Sequence, residues 1–504
     1  MRTKEQGSGF WSNLRGAVLH FREPPAVAAI EHRANYHWLV VGCVCIGAFM
    51  GQLDASIAQL LLPRLEEVFD VRLSSVSWVA IVYLVAVAGF LPVFGRIADI
   101  TGRKLVYLVG FFLFALGALI CGFATNLWVL IGGRVLQGIA AAMVSANSVA
   151  IVVAAAGPGR RGKALGVQAA AQAAGLSFGP AFGGFLLDAL DWRWAFWVNV
   201  PIGLAGGIAA WFILPRTDIK QAAARFDWTG ALLLVPALGA LMVAVNQAHA
   251  WGFRSLPVLA CAALAIGLFV LFLHSQLHKG DPLVDLALFR QPGFASGNIG
   301  ALLSYAMIFG LFFLMPFILI RAYEDSAFEA GLRLMIVPIA LSLIAPLSGA
   351  LYDRLGARIL KATGMALATA ALIGLHVVVD GSATSLPAVM VAFAAIGIGQ
   401  GLFTSPNNSA IIAATPEHLT GEAGSLINVS RALGTSLGVA LTTSILSWQI
   451  ALVGGNGGRT LGIAPDKIAA AGSATLLLLA GLALIAAVLA LIGGGGGLAG
   501  DRRR

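Results

Sequence analysis

Two charged residues stand inside stretches that are otherwise apolar. Asp54 lies in GAFMGQLDASIAQLLLPRL, residues 47–65, and Arg134 lies in WVLIGGRVLQGIAAA. A charge at membrane depth costs at least a few kcal/mol, so each needs a partner. If both runs are helices, a rise of about 1.5 Å per residue carries Asp54 about 24 Å up its span. The same rise leaves Arg134 about 10 Å below the start of a span that descends from the other side. The depths agree, and a carboxylate can then pair with a guanidinium, which makes both tolerable. One reading is a structural ion pair. The other is a proton switch, because burial disfavours the charged carboxylate and an adjacent arginine favours it, so movement between two states loads and releases a proton.

A second constellation is repeated. GRIADITGRK at 95 and GALYDRLGAR at 349 share Gly, Asp four residues on, and Gly three further: Gly95, Asp99 and Gly102 match Gly349, Asp353 and Gly356. A carboxylate beside a helix end can cap a neighbouring helix N-terminus. Arg103, Lys104 and Arg358 supply basic partners. Basic residues alone are what any inner loop of a membrane protein carries; the repeated spacing asks for more and points to gating.

Other polar residues fall within apolar runs. Gln172, Tyr305, Asn428 and Arg431 are candidates for a cargo cavity, and Asn147, Gln168, Asn298, Gln400, Asn407 and Asn408, like Asn428, lie nearer the inner half. Hydrogen bonding between helices is the plainer role for any one of them; Arg431 is the most costly to bury. Arg333 stands close to an interface and is expected to snorkel. Gly175, Gly179, Gly183 and Gly184 make a small-residue stripe that allows close helix approach, and Pro180 should bend that helix.

Several chemistries are excluded. GPGRRGKA at 157 nearly spells a phosphate-binding loop, but Ala164 takes the place of the metal-ligating hydroxyl and a long apolar run precedes it. Cys43, Cys45, Cys121 and Cys261 lie in apolar runs without a CxxC pair, which suggests neither disulfides nor a metal site. No metal-binding His–Glu helix or nucleophile elbow is present. An enzyme is not expected, and neither is a cofactor.

The elements that position these residues are transmembrane helices. Of 504 residues 59% are hydrophobic and 11% charged, where a soluble protein would carry about 25% charged residues. Apolar runs of membrane-spanning length recur, and the alternation of an outer-membrane barrel is absent. Fourteen spans are read, near 38–62, 76–94, 105–124, 127–150, 164–187, 195–214, 228–247, 255–274, 294–320, 329–349, 359–379, 386–412, 422–447 and 470–492. With the N-terminus inside, twenty-two of the 32 Lys and Arg residues fall on the inner side, seven on the outer side, and Arg134, Arg333 and Arg431 within spans. This asymmetry predicts two cytoplasmic termini and explains the net charge of +9 without nucleic acid. The repeated Gly-Asp-Gly element follows spans 2 and 10, which divides the chain into a cytoplasmic segment 1–37, a six-helix half 38–214, a linker 215–293 holding two inserted helices, a second six-helix half 294–492, and a cytoplasmic tail 493–504. Within the first segment, Phe10, Leu14, Ala17, Val18 and Phe21 share one face and suggest an interfacial helix ended by Glu23-Pro24-Pro25. The fold class is therefore an all-α polytopic membrane protein of two six-helix bundles plus an inserted pair. Two parallel repeats about a central site are a transporter architecture.

The residues also resemble a family. GRIADITGRK looks like the loop signature of the major facilitator superfamily. LDASIAQLLLP, RVLQGIAAA, GLSFGPAFGG, DWRWAFWVNVPIG and NVSRALGTSLG resemble motifs of its fourteen-span drug:proton antiporters, the EmrB/QacA type. The likeness covers nearly the whole chain from residue 38. One departure is Ser56-Ile57-Ala58-Gln59-Leu60-Leu61, where that group usually has a Thr-Ile-Val-Asn-Val-Ala-type run; this bears on cargo more than on fold. The resemblance implies a proton-coupled exporter of hydrophobic or amphipathic compounds in the cell (inner) membrane, with Asp54 and Arg134 in coupling. It also implies that the loop elements stabilise the outward-facing state. The proton gradient replaces a cofactor. The partners are a small-molecule cargo and the lipid bilayer and, in a host with two membranes, a periplasmic adaptor and outer-membrane channel. Two other readings stand beside it: a carrier of an endogenous metabolite or lipid on the same scaffold, and a non-transporting membrane sensor or scaffold.

Overall fold

A computed structural model of the chain describes residues 23, 25–33, 35–157, 159–217, 227–279, 285–416, 419–454 and 459–492. The interfacial helix expected at 10–21 lies outside the described residues. Those residues form helices and no strand. The long helices are α1 (Tyr36–Phe69), α2 (Trp78–Thr101), α3 (Arg103–Gly122), α4 (Leu127–Ala156), α5 (Arg161–Ala189), α6 (Trp194–Ile213), α7 (Trp228–Trp251), α8 (Leu256–Leu277), α9 (Pro292–Arg321), α10 (Ala327–Tyr352), α11 (Arg354–Val378), α12 (Leu386–Ala413), α13 (Thr420–Gly454) and α14 (Pro465–Ile492). Thirteen helices among the described residues are long and apolar enough to cross a membrane. The one left out is α5, whose 29 residues include several glycines, two glutamines and the charged Arg161, Lys163 and Asp188.

Local chemistry sets the ends. The Asn126 side chain accepts the Val129 N–H at 3.0 Å and starts α4. Ser326 and Glu329 form a reciprocal capping box at the start of α10. α1 ends at Asp70 in a left-handed conformation, φ 47°. From Ile336 onward α10 and α11 run on as one helix to Val378, kinked at Gly356 near the start of α11, φ 75° and ψ 157°. α5 passes through Pro180 as one uninterrupted helix.

In the first half α1 packs on α5, and α4 packs on both α2 and α3; in the second, α9 packs on α13, and α10–α11 on α12 and α14. The inserted pair α7–α8 lies outside both bundles yet touches both. Ala88 of α2, Leu234 and Leu238 of α7 and Phe272 of α8 form one buried cluster, with Ala432 and Leu433 of α13 against it. Asn246 Nδ2 donates to Ser77 Oγ at 2.9 Å. Asp227, which caps α7 through the Gly230 N–H at 2.8 Å, also accepts from Gln276 at 2.8 Å and pairs with Lys279 at the end of α8. Outside the stripe of Val258, Ala265, Phe272 and Gln276, α8 exposes Leu256, Leu259, Leu264, Ile266, Phe269, Val270 and Leu271. A continuous apolar face of this kind is made for hydrocarbon rather than water.

The face at which α1 ends, here the far face, joins the two halves. A Cβ at Gly184 would stand 2.2 Å from the Ala327 carbonyl oxygen, and one at Gly331 would stand 2.2 Å from that of Pro180, so α5 and α10 cross in backbone contact. Asp188 accepts the N–H groups of Ala327 and Phe328 at 3.3 and 2.8 Å. The end of α1 is held as well: Arg321 pairs with Glu67 and donates to the Pro63 carbonyl at 2.9 Å. Arg459 reaches Asp70 at 2.7 Å, and the Thr460 N–H reaches Glu66 at 2.7 Å.

Candidate functional site

Asp54 on α1 and Arg134 on α4 meet as expected, with Nη1 to Oδ2 at 2.6 Å and exposures of 2% and 1%. The site is larger than the pair. Asn199 Nδ2 on α6 donates to Asp54 Oδ1 at 3.0 Å, and Gln137 Nε2 lies 3.4 Å from the same oxygen. Arg134 in turn donates from Nε to the Val79 carbonyl at 3.0 Å and from Nη1 to Gln137 Oε1 at 3.0 Å. Its guanidinium carbon lies 4.2 Å from the Tyr83 ring centroid, a cation–π contact. Four residues from three helices, Val79 and Tyr83 of α2, Gln137 of α4 and Asn199 of α6, thus surround the two buried charges. Such a pair is tolerated only when its remaining donors and acceptors are matched.

Asn199, Gln137 and Tyr83 were not singled out from the sequence. Gln137 is three residues after Arg134 and so shares its helix face. Asn199 stands inside DWRWAFWVNVPIG, a stretch noted only for its resemblance. Tyr83 carried no signal, because an aromatic in an apolar helix is ordinary.

The two loop elements are repeated in backbone as well as in sequence. Gly102 (φ 113°) separates α2 from α3, Gly356 (φ 75°) kinks the α10–α11 run at the matching place, and both need the conformational freedom of glycine. Gly95 and Gly349 are helical, and a Cβ at either would meet no close atom. The expected capping role of Asp99 is corrected: it pairs within its own turn with Arg103 at 2.9 Å. The carboxylate that caps α3 is Glu23, which accepts the Leu105 N–H at 3.0 Å and the Thr217 N–H at 2.7 Å. Glu23 arrives from the preceding segment and is already seated where a residue larger than glycine at 102 would collide with it. Lys104 is buried, with Nζ donating to the Leu214 carbonyl at 2.7 Å. Arg358 is exposed, and the side chain of Asp353 lies outside the described residues.

The glycine stripe of α5 serves two neighbours. Gly175, Gly179 and Gly183 face Phe49, Leu53, Ser56 and Ile57 of α1, whereas Gly184 faces α10. Among the cargo candidates, Tyr305 and Arg431 come together, with the guanidinium carbon 4.5 Å from the ring centroid. Gln172 and Asn428 are half-buried. The helix–helix role holds for Asn298, which accepts from Ser430 at 3.0 Å, and for Asn407, which donates to the Gly297 carbonyl at 2.9 Å. Arg333 does not simply snorkel: it pairs with Asp325 at 2.7 and 2.9 Å. Burial pushes the Asp325 carboxyl above its ordinary range, although Arg333 pulls it the other way. The four cysteines are free.

Comparison with known proteins follows the same lines. The model of the Major Facilitator Superfamily matches residues 44–439. The riboflavin transporter RibZ of Clostridioides difficile is 30% identical over 413 residues, covering 82% of this chain and 89% of that protein. The multidrug resistance protein B homolog of Mycobacterium tuberculosis is 30% identical, covering 81% and 76%. The tetracenomycin C resistance and export protein of Streptomyces glaucescens is 28% identical, covering 82% and 76%. Among solved structures, a bacterial homolog of the human lysosomal transporter Spinster, inward-facing and unoccupied, aligns with a TM-score of 0.65 at 16% identity over 92% of this chain and 98% of that one. A POT family transporter in complex with 5-aminolevulinic acid aligns with a TM-score of 0.67 at 15% identity, over 90% and 96%. At these identities the structural likeness is one of fold. The family and the relatives identify a multi-pass membrane transporter and not an enzyme. The chain belongs to the major facilitator superfamily.

Proposed function

We propose that this transporter is a proton-coupled exporter of hydrophobic or amphipathic compounds, working by alternating access of its two halves. It is read as a fourteen-span protein of the EmrB/QacA type, with α5 as the remaining span and both termini in the cytoplasm. The far face is then the outside of the cell (inner) membrane. The proton gradient serves in place of a cofactor. In a host with two membranes, a periplasmic adaptor and an outer-membrane channel complete the route.

The observation that carries this reading is the composition of the Asp54–Arg134 site. Arg134 keeps the Val79 carbonyl, Gln137 Oε1 and the Tyr83 ring when Asp54 is neutralised. Asp54 keeps the neutral donor Asn199 when Arg134 moves away. Each group therefore has a second set of partners, which lowers the cost of separating the pair inside the protein. In the proposed cycle a proton from outside neutralises Asp54, its grip on Arg134 weakens, and α1 and α4 are freed to shift as the halves rock. The far-face contacts belong to the state closed to the outside. The relatives named for multidrug resistance and tetracenomycin C export support outward transport of such compounds.

Carriage of an endogenous metabolite is the second reading, and the relative named a riboflavin transporter favours it. Dye efflux in inverted vesicles under an imposed pH gradient tests the proposal, with Asp54→Asn beside the native protein. Gradient-driven transport that collapses in Asp54→Asn, with expression intact, supports it. Unchanged transport in the variant demotes the pair to a structural role.

A further inference from the structure

Two arginines stand deep in the spans, and their surroundings differ. Arg134 is enclosed and paired with a carboxylate. Arg431 on α13 is half-buried and rests on the face of Tyr305 of α9 at 4.5 Å, and Tyr305 lies nearly parallel to Phe309, at 18° and 6.3 Å between centroids. Helical rise puts Arg431 about 17 Å from the start of the 35-residue α13 and Tyr305 about 20 Å from the start of the 30-residue α9, inside both helices and away from their ends. No Asp or Glu occurs in residues 286–323, 330–352, 354–379, 381–416 or 423–465, so the second half offers Arg431 no carboxylate at this depth. Asp54 is committed to Arg134 and Asn199. Among the described residues the Arg431 guanidinium forms no ion pair.

The neighbours of Arg431 are occupied elsewhere. Ser430 bonds Asn298, Gly434 touches the Leu302 backbone, and Ala432 and Leu433 pack toward α2, α7 and α8. A guanidinium stacked on one ring still presents its N–H fork at the edge, and that fork matches a carboxylate held in the same plane. A half-buried cation within a span and without a carboxylate has room for an anion as its partner.

We propose that Arg431 and Tyr305 form the cargo-orienting subsite of the second half, and that this subsite selects flat aromatic compounds bearing a carboxylate over lipophilic cations of the same shape. This deepens the transport reading and rests on it. The aromatic plane stacks against the Tyr305–Arg431 platform, and the carboxylate accepts the fork. A cation on the same scaffold meets an uncompensated positive charge.

The test is equilibrium binding to the full chain in lipid nanodiscs, read by fluorescence anisotropy with two xanthene dyes. Fluorescein carries a carboxylate; rhodamine 6G is a cationic ester. The native protein binds fluorescein more tightly. Arg431→Gln weakens fluorescein at least about tenfold, Arg431→Lys recovers part of the loss because it restores charge without the fork, and Tyr305→Leu weakens fluorescein with Arg431 intact. Rhodamine 6G binding is unchanged or improved by Arg431→Gln. Preference of the native protein for rhodamine 6G overturns the proposal, as does fluorescein affinity in Arg431→Gln within about twofold of native. Equal loss of both dyes in every variant that keeps the native melting temperature also overturns it. Binding needs no pH gradient, so a failure of proton coupling leaves this readout standing, and a failure of the subsite leaves the Asp54→Asn experiment standing.

Discussion

Glu66, fully buried at the end of α1, accepts the backbone N–H of Thr460 from the opposite half at 2.7 Å and the Thr460 hydroxyl as well. Glu67 and Asp70 on the same helix end are held by Arg321 and Arg459. Opening the far face requires breaking all three. Hydrogen bonds to a charged group contribute about 1.5–3 kcal/mol, so Glu66→Ala should favour the far-open state by about tenfold or more. Spin labels at the exposed positions Phe123 and Val377, in a cysteine-free background, would read this as a growing population of longer distances. An unchanged distribution would remove the latch from the account.

Arg134→Lys keeps the charge yet should not keep the function. The native side chain uses Nε for Val79, Nη1 for Asp54 and Gln137, and its flat face for Tyr83. A lysine ammonium is a point charge on a flexible stem and cannot hold that geometry. Gradient-driven dye transport should fall at least about tenfold, the loss that about 1.4 kcal/mol of misplaced interaction produces. Native transport in Arg134→Lys would mean that charge alone suffices.

Gly331→Val should block closure at the far face. Its Cβ meets the Pro180 carbonyl oxygen at 2.2 Å, a backbone atom that cannot rotate away. The expected result is a folded protein with lost transport and a lengthened Phe123–Val377 distance. Gly166→Ala on α5 is the control, since a Cβ there meets nothing within 4 Å. Transport retained in Gly331→Val would show that α5 and α10 need not touch.

Asp227 gives the helix pair α7–α8 an acid limit. Burial alone would raise its carboxyl, but Lys279, Gln276 and the Gly230 N–H outweigh it and hold Asp227 below the ordinary range. A carboxyl lowered in the folded state stabilises fully above its unfolded value, about 3.9, and loses that contribution as pH falls below it. Thermal unfolding of native protein and Lys279→Gln should therefore differ by a constant amount between about pH 5 and 7, and the gap should close below about pH 4. A gap that widens in acid would contradict the ion pair's role.

Hydropathy sufficed for the membrane class and the helix positions, because hydrocarbon leaves a chain few choices. The partnership of Asp54 with Arg134 was legible for the same reason: a lone charge at depth demands a partner, and residue counting gives depth. The repeated glycines were legible too, since Gly102 and Gly356 occupy backbone conformations that other residues resist. What counting along single helices cannot supply is which faces meet. Asn199 and Tyr83 joined the charged pair only when α6 and α2 were packed against α1 and α4. Glu23, an unremarkable acid before a proline pair, displaced Asp99 as the cap of α3 because a separate segment folds back onto Gly102. The Thr460–Glu66 contact joins residues 394 apart in sequence. Depth is a one-dimensional quantity that the amino-acid order determines by itself; azimuth, and with it every contact between helices, was decided only when the helices packed together.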